Sequence, residues 1–347
     1  MLYEKGYALV FEVTQGCVMG CLGCQINKNL SGLPSEDKLD ELLALFHGLK
    51  ESGAPMAEFE FGPTDFIKAN NRQAIFEHHK VRQLANLFEM ITLNASFVHK
   101  DVQEYVQLAH DVNRLNESEF NGLQIPLNLK HIFSEGYFEL IERNLEAYRS
   151  TLIKPLKEVI FTVIVDELGI NHADTDLYYS RLFERTAALK AKGYGFDFIS
   201  HHGLGNLSNR RIRDDFLKTI RKLNLAFYEE VTKRGEQKQR RYDTLKNFTE
   251  SVEVVFHEGE LYLRAAVNEK SNVFHERMRY DDAWTAPTMQ SHIVQRFNTN
   301  LEWAAQNPNC AECSRMTDCA KRFIQDIMSI TDTQQCLIGL KHIPLPV

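Results

Sequence analysis

The chain of 347 residues is long enough for one large α/β domain or about two domains, and its 44% apolar and 25% charged residues exclude a disordered chain. A net charge of -7 argues against sequence-independent binding to duplex nucleic acid, which depends on neutralising phosphates with Lys and Arg. No run of about 18 apolar residues exists, and the N-terminus lacks the pattern of a signal peptide. We therefore expect a cytoplasmic protein that has neither nucleic acid nor a membrane as a partner.

From residue 7 to about 203, short apolar runs alternate with longer amphipathic segments. The predicted strands cover residues 7–15, 57–62, 88–96, 122–129, 158–166 and 194–202. Because parallel strands need crossover helices, this alternation predicts an α/β fold, a partial (β/α)6 TIM-like barrel. Functional residues are then expected at the C-terminal ends of the strands.

The pattern changes after residue 207 and divides the chain into three predicted parts. Residues 1–207 form the partial barrel, residues 208–250 form a helical linker, and residues 251–347 form a small C-terminal α+β extension. The extension begins with a segment, 251–268, that alternates about a central Glu-Gly pair, which predicts a β-hairpin. The rest of the extension is predicted to be helical and carries cysteines.

Three cysteines follow the first predicted strand with C-x3-C-x2-C spacing: Cys17, Cys21 and Cys24. Close spacings of this kind in a reducing compartment favour metal binding over structural disulfides. Three thiolates can hold three irons of a cubane 4Fe-4S cluster and leave the fourth iron open for a ligand. A partial zinc site, or three thiols without a metal, is the alternative interpretation.

A second group of cysteines lies near the C-terminus and consists of Cys310, Cys313, Cys319 and Cys336. Four thiolates can close a metal site completely, either around zinc or around an iron–sulfur cluster. These four residues by themselves leave both metals open. The presence of the N-terminal group in the same chain favours iron–sulfur.

The C-x3-C-x2-C spacing at the end of a first strand resembles the radical S-adenosylmethionine (AdoMet) superfamily. The resemblance implies that Cys17, Cys21 and Cys24 hold the catalytic cluster and that the open iron chelates the amino and carboxylate groups of AdoMet. Reduction of the cluster, by a flavodoxin- or ferredoxin-like protein, then cleaves the sulfonium. The resulting 5'-deoxyadenosyl radical abstracts a hydrogen from the substrate.

The C-terminal part is similar to the SPASM extension of radical enzymes that act on peptides and proteins. The similarity covers the hairpin around HEGELYLR, the segment SNVFHERMRYDDAW and the final cysteines. Where that extension carries ligands of its first auxiliary cluster, this chain has Arg264 and Phe323. The retained residues Cys310, Cys313, Cys319 and Cys336 match the ligands of the second auxiliary cluster. The resemblance therefore implies two 4Fe-4S clusters in total.

Further cofactor contacts are implied by the resemblance at the ends of the predicted strands. These positions are Gly62, Thr64 and Asp65 in FGPTD, Asn94 in TLNAS, and Asn128 in PLNLK. Gly23 stands where the family commonly has an aromatic residue, which implies a rearranged adenine contact. His201 ends the sixth predicted strand and is a candidate substrate contact or proton donor. Strand-end capping is the alternative role for the two asparagines, and a backbone hydrogen bond is the alternative for His201.

By the same resemblance the substrate is a peptide, such as a ribosomally made precursor that acquires a cross-link, an epimerised centre or a related modification. Because the sequence begins at its first strand, we expect a separate recognition protein or a short substrate. Oxidation or rearrangement of a small alcohol, sugar or amino acid is the second hypothesis. A non-catalytic metal-binding interaction module is the third.

Overall fold

The computed structural model describes residues 6–17, 32–62, 64–115, 118–127, 134–164, 194–199 and 252–264, together with residues 184, 188, 191–192, 276–277, 285, 288–289, 302 and 305–306. The strands are β1 (Tyr7–Glu12), β2 (Met56–Gly62), β3 (Met90–Asn94), β4 (Phe120–Leu127), β5 (Leu156–Ile164), β6 (Gly195–Ile199), β7 (Val252–His257), β8 (Glu260–Arg264) and β9 (Glu276–Arg277). The helices are α1 (Glu36–Glu51), a short 3-10 helix (Phe66–Lys68), α2 (Arg72–Glu77), α3 (His79–Ala85), α4 (Gln103–Leu115) and α5 (Glu135–Thr151).

One sheet contains all of these strands, in the order β6-β5-β4-β3-β2-β1-β7-β8-β9. Every neighbouring pair from β1 to β6 is parallel, and described helices lie between several of these strands in the chain. The predicted α/β fold with a parallel central sheet is therefore confirmed. Closure of this sheet into a partial barrel stays a prediction.

The first crossover helix, α1, shows how the sequence sets the ends of an element. The Ser35 side chain caps its N-terminus by accepting a hydrogen bond from the Lys38 backbone nitrogen at 3.3 Å. Gly53 follows the C-terminus with φ +82, a conformation that favours glycine. The apolar face of the helix packs on the sheet through Leu39, Leu42, Leu45, Phe46 and Leu49.

The predicted hairpin is confirmed as β7 and β8, and it extends the parallel sheet. Strand β7 pairs with β1 in parallel over its whole length, from Tyr7 opposite Val252 to Glu12 opposite His257. The hairpin turn, Glu258 and Gly259, has φ values of +48 and +83, as a tight two-residue turn requires. Strand β1 thus lies between β2 and β7, well inside the sheet.

One face of the sheet packs against the helices and is almost entirely apolar. It is rich in phenylalanine, and the Phe59 and Phe61 rings meet edge to face with centroids 4.6 Å apart. The Phe11 ring joins this group from β1, with its centroid 5.4 Å from that of Phe256 on β7. Burial of each such ring stabilises the fold by about 1.5–3 kcal/mol, so this face holds the strands in place.

The opposite face is polar towards the C-terminal ends of the strands. Because successive side chains of a strand point to opposite faces, the registers bring a set of polar residues to this face. They include Glu12, Glu60, Thr92, Asn94, Gln124 and His257. The sequence signal for this face is the Glu-Phe-Glu-Phe alternation at residues 58–61, whose phenylalanines are buried and whose glutamates are partly exposed.

The predicted linker at 208–250 and the last four cysteines lie outside the described residues, so the domain limits stay predictions. Among the residues that the structure describes, none of the helices combines the length and the apolar character that crossing a bilayer requires.

Candidate functional site

The segment that leaves β1 leads directly to Cys17 at the C-terminal edge of the sheet. Cys17 is half-buried, whereas Cys21 and Cys24 lie outside the described residues. Gly16 precedes Cys17 with φ +83, so a side chain there would be strained. The same position also packs closely, because a Cβ on Gly16 would come within 3.2 Å of the Asn70 side-chain nitrogen.

Two buried threonines join the exits of β1 and β2. The Thr14 hydroxyl donates to the Gly62 carbonyl at 2.8 Å. It also accepts from the Thr64 backbone nitrogen at 3.2 Å and from the Thr64 hydroxyl at 2.7 Å. The predicted site residues Gly62 and Thr64 are therefore tied to the backbone that leads to Cys17. Neither threonine hydroxyl is exposed enough for water to replace these bonds easily.

Asn71, at the start of α2, holds the same exit segment by a two-point clamp. Its side-chain oxygen accepts from the Gln15 backbone nitrogen at 2.9 Å, and its side-chain nitrogen donates to the Val13 carbonyl at 2.8 Å. A further hydrogen bond, 2.7 Å long, runs from the Asn70 backbone nitrogen to the Gln15 carbonyl. The main chain on both sides of Thr14 is thereby fixed.

Asp65 is fully buried and joins the exits of β2 and β3. Its carboxylate accepts from the Ser96 hydroxyl at 2.5 Å, from the Ser96 backbone nitrogen at 3.2 Å and from the Ile67 backbone nitrogen at 3.2 Å. Burial raises the pKa of Asp65, and the hydrogen bonds from Ser96 oppose that rise. These three hydrogen bonds hold the segments after β2 and β3 together.

Asn94 ends β3 on the polar face of the sheet. Its side-chain nitrogen donates to Glu60 Oε1 at 2.9 Å and to the Phe61 carbonyl at 3.3 Å. Gly62 lies beside it in the row of strand ends, and a Cβ on Gly62 would meet the Asn94 nitrogen at 3.4 Å. Gly62 therefore adds no side chain to the row of strand ends between Glu12 and Asn94.

Cys17, the one cysteine of the motif that the structure describes, has the chemistry of an iron–sulfur ligand at this edge. Thiolates are soft ligands that select iron–sulfur clusters or zinc over magnesium and calcium. Cys17 lies where the functional residues of a parallel α/β sheet are expected, beyond the C-terminal end of β1, whose last residue pairs with Gly62 of β2. Within the described ranges alone, no group of three His, Cys, Asp or Glu residues is placed to hold a metal, since the partners proposed for Cys17 lie outside them.

The other predicted site residues also lie outside the described residues. They are Asn128, His201, Cys310, Cys313, Cys319 and Cys336. Their roles stay predictions.

Several residues that hold this edge together are not among the site residues predicted from the sequence. Thr14 could have been predicted from the sequence, since a polar residue shortly after a buried strand is a candidate functional residue at the C-terminal end of a parallel sheet. No local sequence pattern indicates the role of Asn71, because its contacts with Val13 and Gln15 span more than fifty positions of sequence. The pairing of Glu12 with His257 also depends on tertiary structure alone.

Glu12 and His257 form a hydrogen-bonded pair on the polar face, at the last matched positions of β1 and β7. The His257 Nδ1 and Glu12 Oε2 atoms are 2.6 Å apart, and the more exposed Glu258 lies 3.8 Å from Nε2. The hydrogen bond with Glu12 raises the pKa of His257 above its ordinary value of 6.5, against the opposing effect of burial.

The stabilisation that this pair gives to the pairing of β7 with β1 is expected to depend on pH. Because the folded-state pKa of His257 is raised, its stabilisation is complete below about pH 6.5 and is lost as pH rises through the folded-state pKa. A double-mutant cycle with Glu12→Gln and His257→Gln should give a coupling of about 1 kcal/mol at pH 6 and a smaller one at pH 9. Equal coupling at both pH values would show that the histidine charge is not involved.

No protein-family model matches this sequence, and no curated protein matches it. Among solved structures, native anSMEcpe with bound AdoMet has a similar fold, with a TM-score of 0.51 and 14% sequence identity over 90% of this chain and 88% of that chain. Two structures of native anSMEcpe with AdoMet and a Cp18Cys or a Kp18Cys peptide give TM-scores of 0.48 and 0.49. At this identity the likeness defines the fold, which this chain shares with an AdoMet-bound protein.

Proposed function

We propose that this chain is a radical AdoMet enzyme that modifies a peptide. One observation carries the proposal. Cys17, the first residue of the C-x3-C-x2-C motif, directly follows the C-terminal end of β1 in a parallel α/β fold that resembles an AdoMet-bound protein. The combination of motif and position supports an open cluster at this edge more than it supports a zinc site.

In this proposal Cys17, Cys21 and Cys24 hold the catalytic 4Fe-4S cluster. Cys310, Cys313, Cys319 and Cys336 hold a second, fully ligated one. When bound, the first cluster supplies the electron that cleaves AdoMet, and the second takes up the electron released when the substrate radical is oxidised. A flavodoxin- or ferredoxin-like protein is the proposed reductant.

The chain itself binds and orients the reactants at the C-terminal edge. Gly62 is a proposed AdoMet contact through its backbone, and Asn94, whose side-chain nitrogen lies beside it, is another. Thr64 and Asp65 are buried, so their proposed effect on AdoMet is to hold the strand exits against which it binds. Asn128 and His201, which follow β4 and β6 in the sequence, are further proposed contacts.

The peptide substrate is supported by the sequence similarity of the C-terminal part to the SPASM extension. Partly exposed carboxylates and amides on the polar face suit a ligand with several hydrogen-bonding groups, as a peptide backbone has. The modification proposed is a cross-link, an epimerised centre or a related change in a ribosomally made precursor. Delivery by a separate recognition protein, or a precursor short enough to bind without one, is proposed with it.

Anaerobic reconstitution tests the proposal. The expected result is about eight irons per chain, as two cubane clusters require, and formation of 5'-deoxyadenosine from AdoMet on reduction with dithionite. Two tetrahedral zinc sites without cleavage of AdoMet would favour the interaction module and contradict the enzyme. Turnover of a small alcohol, sugar or amino acid without any effect of peptides would support the second hypothesis instead.

A further inference from the structure

Asn71 occupies the N-cap position of α2, yet its side chain makes no capping hydrogen bond. Asparagine is among the best N-cap residues because its side-chain oxygen can accept from the free backbone nitrogens of the first helical turn. In this chain the amide is used elsewhere, on the Val13 carbonyl and the Gln15 nitrogen. The Asn71 side chain thus gives up the local capping hydrogen bond for contacts with residues distant in sequence. A departure of this kind from a local sequence preference is typical of a functionally constrained position.

The same amide also meets the other end of the loop. Gly32 has φ +80, and a Cβ at that position would come within 2.9 Å of the Gln15 side-chain nitrogen and 3.4 Å of the Asn71 side-chain nitrogen. The loop that begins after Gly16 therefore returns, at Gly32, to the residues that Asn71 holds. All three cysteines of the C-x3-C-x2-C motif lie between these two ends.

We propose that Asn71 is a positioning residue for the cysteine loop, because it holds the base of that loop at the C-terminal edge of β1. The inference rests on the proposed function, in which the loop binds the catalytic cluster. With the base fixed, the thiolate of Cys17 starts from a defined backbone, so cluster binding has less of the loop to order. Without the clamp, the loop base gains freedom that cluster binding must remove.

The chain contains a matched control. Asn113 in α4 makes the same two-point clamp on another connection, donating to the Thr151 carbonyl at 3.0 Å and accepting from the Ile153 nitrogen at 2.9 Å. That connection precedes β5 and lies at the opposite, N-terminal edge of the sheet. Loss of either clamp removes two hydrogen bonds of similar length. Asn71 also differs from Asn113 in its N-cap position, so a variant that keeps the N-cap is needed beside the alanine variants.

The test compares Asn71→Ala, Asn71→Ser and Asn113→Ala after anaerobic reconstitution of the full chain. Serine is a good N-cap but too short to reach both backbone partners, so Asn71→Ser keeps the helix start and loses the clamp. The readouts are the rate at which a ferrous chelator removes iron, with and without AdoMet, and the change that AdoMet causes in the spectrum of the reduced cluster. Unfolding midpoints monitor the fold.

Both Asn71 variants are expected to release the AdoMet-protected iron about 10- to 100-fold faster than the wild type, the usual effect of losing a residue that orients metal ligands. Asn113→Ala should release it at the wild-type rate, although its unfolding midpoint falls. Wild-type iron release and spectra in Asn71→Ser would overturn the inference. A wild-type protein with no AdoMet-responsive cluster would instead overturn the proposed function, and the inference with it.

Discussion

Replacing Cys17 with alanine is expected to abolish the reductive formation of 5'-deoxyadenosine, and Cys21→Ala and Cys24→Ala should do the same. Two remaining thiolates cannot hold three irons of a cubane cluster, so no site-differentiated iron is presented to AdoMet. The loss should exceed about 100-fold, the upper range for residues that only orient ligands. Quantification of 5'-deoxyadenosine after anaerobic reduction measures it.

The matched variant is Cys313→Ala, in the C-terminal group. It should retain part of the AdoMet cleavage, because the catalytic cluster keeps its three ligands, and it should impair formation of the modified product. Full turnover by Cys313→Ala would contradict the proposed electron-accepting role of the second cluster. Normal cleavage by Cys17→Ala would contradict the proposed function itself.

Replacing Asp65 with alanine is expected to destabilise the protein by several kcal/mol, since each buried donor left without an acceptor costs about 1–3 kcal/mol. The change leaves the Ser96 hydroxyl and the backbone nitrogens of Ser96 and Ile67 without their acceptor in a fully buried position. Asp65→Asn is the matched variant, since its amide oxygen can still accept from both backbone nitrogens and its amide nitrogen can donate to the serine hydroxyl. Denaturant unfolding measures the difference.

The difference in unfolding free energy between the wild type and Asp65→Asn is also expected to change with pH, in a direction that the pKa shift determines. Because the folded-state pKa of Asp65 is raised, the wild type loses stability relative to Asp65→Asn as pH rises above about 3.9 and through the folded-state pKa. Unfolding free energies that differ by a constant amount across this range would show that the carboxyl group titrates normally. Unchanged AdoMet cleavage by Asp65→Asn would assign the residue to the scaffold, and reduced cleavage would assign it to AdoMet.

The apolar runs of the sequence locate each parallel strand. Their order in the sheet was predictable because each of these strands pairs with the next one in the chain. The hairpin was predictable from the Glu258-Gly259 turn and the alternation around it. Its attachment to β1 was not, because parallel pairing of strands some 240 residues apart leaves no local pattern. At the candidate site, the proposed chemistry rests on the spacing of the cysteines, whereas the contacts of Asn71 and His257 become visible only when the chain is folded.

The pairing of β1 with β7 also has a consequence for synthesis of the protein. While the ribosome makes the residues between them, β1 can pair with β2 but not yet with β7. The edge of β1 that later pairs with β7 then exposes unpaired backbone groups, which can pair with a strand of another chain. At typical elongation rates of about 5–20 residues per second, this exposure lasts on the order of ten seconds or more. The strand that leads to the cysteine loop is therefore among the last parts of the sheet to be protected from aggregation.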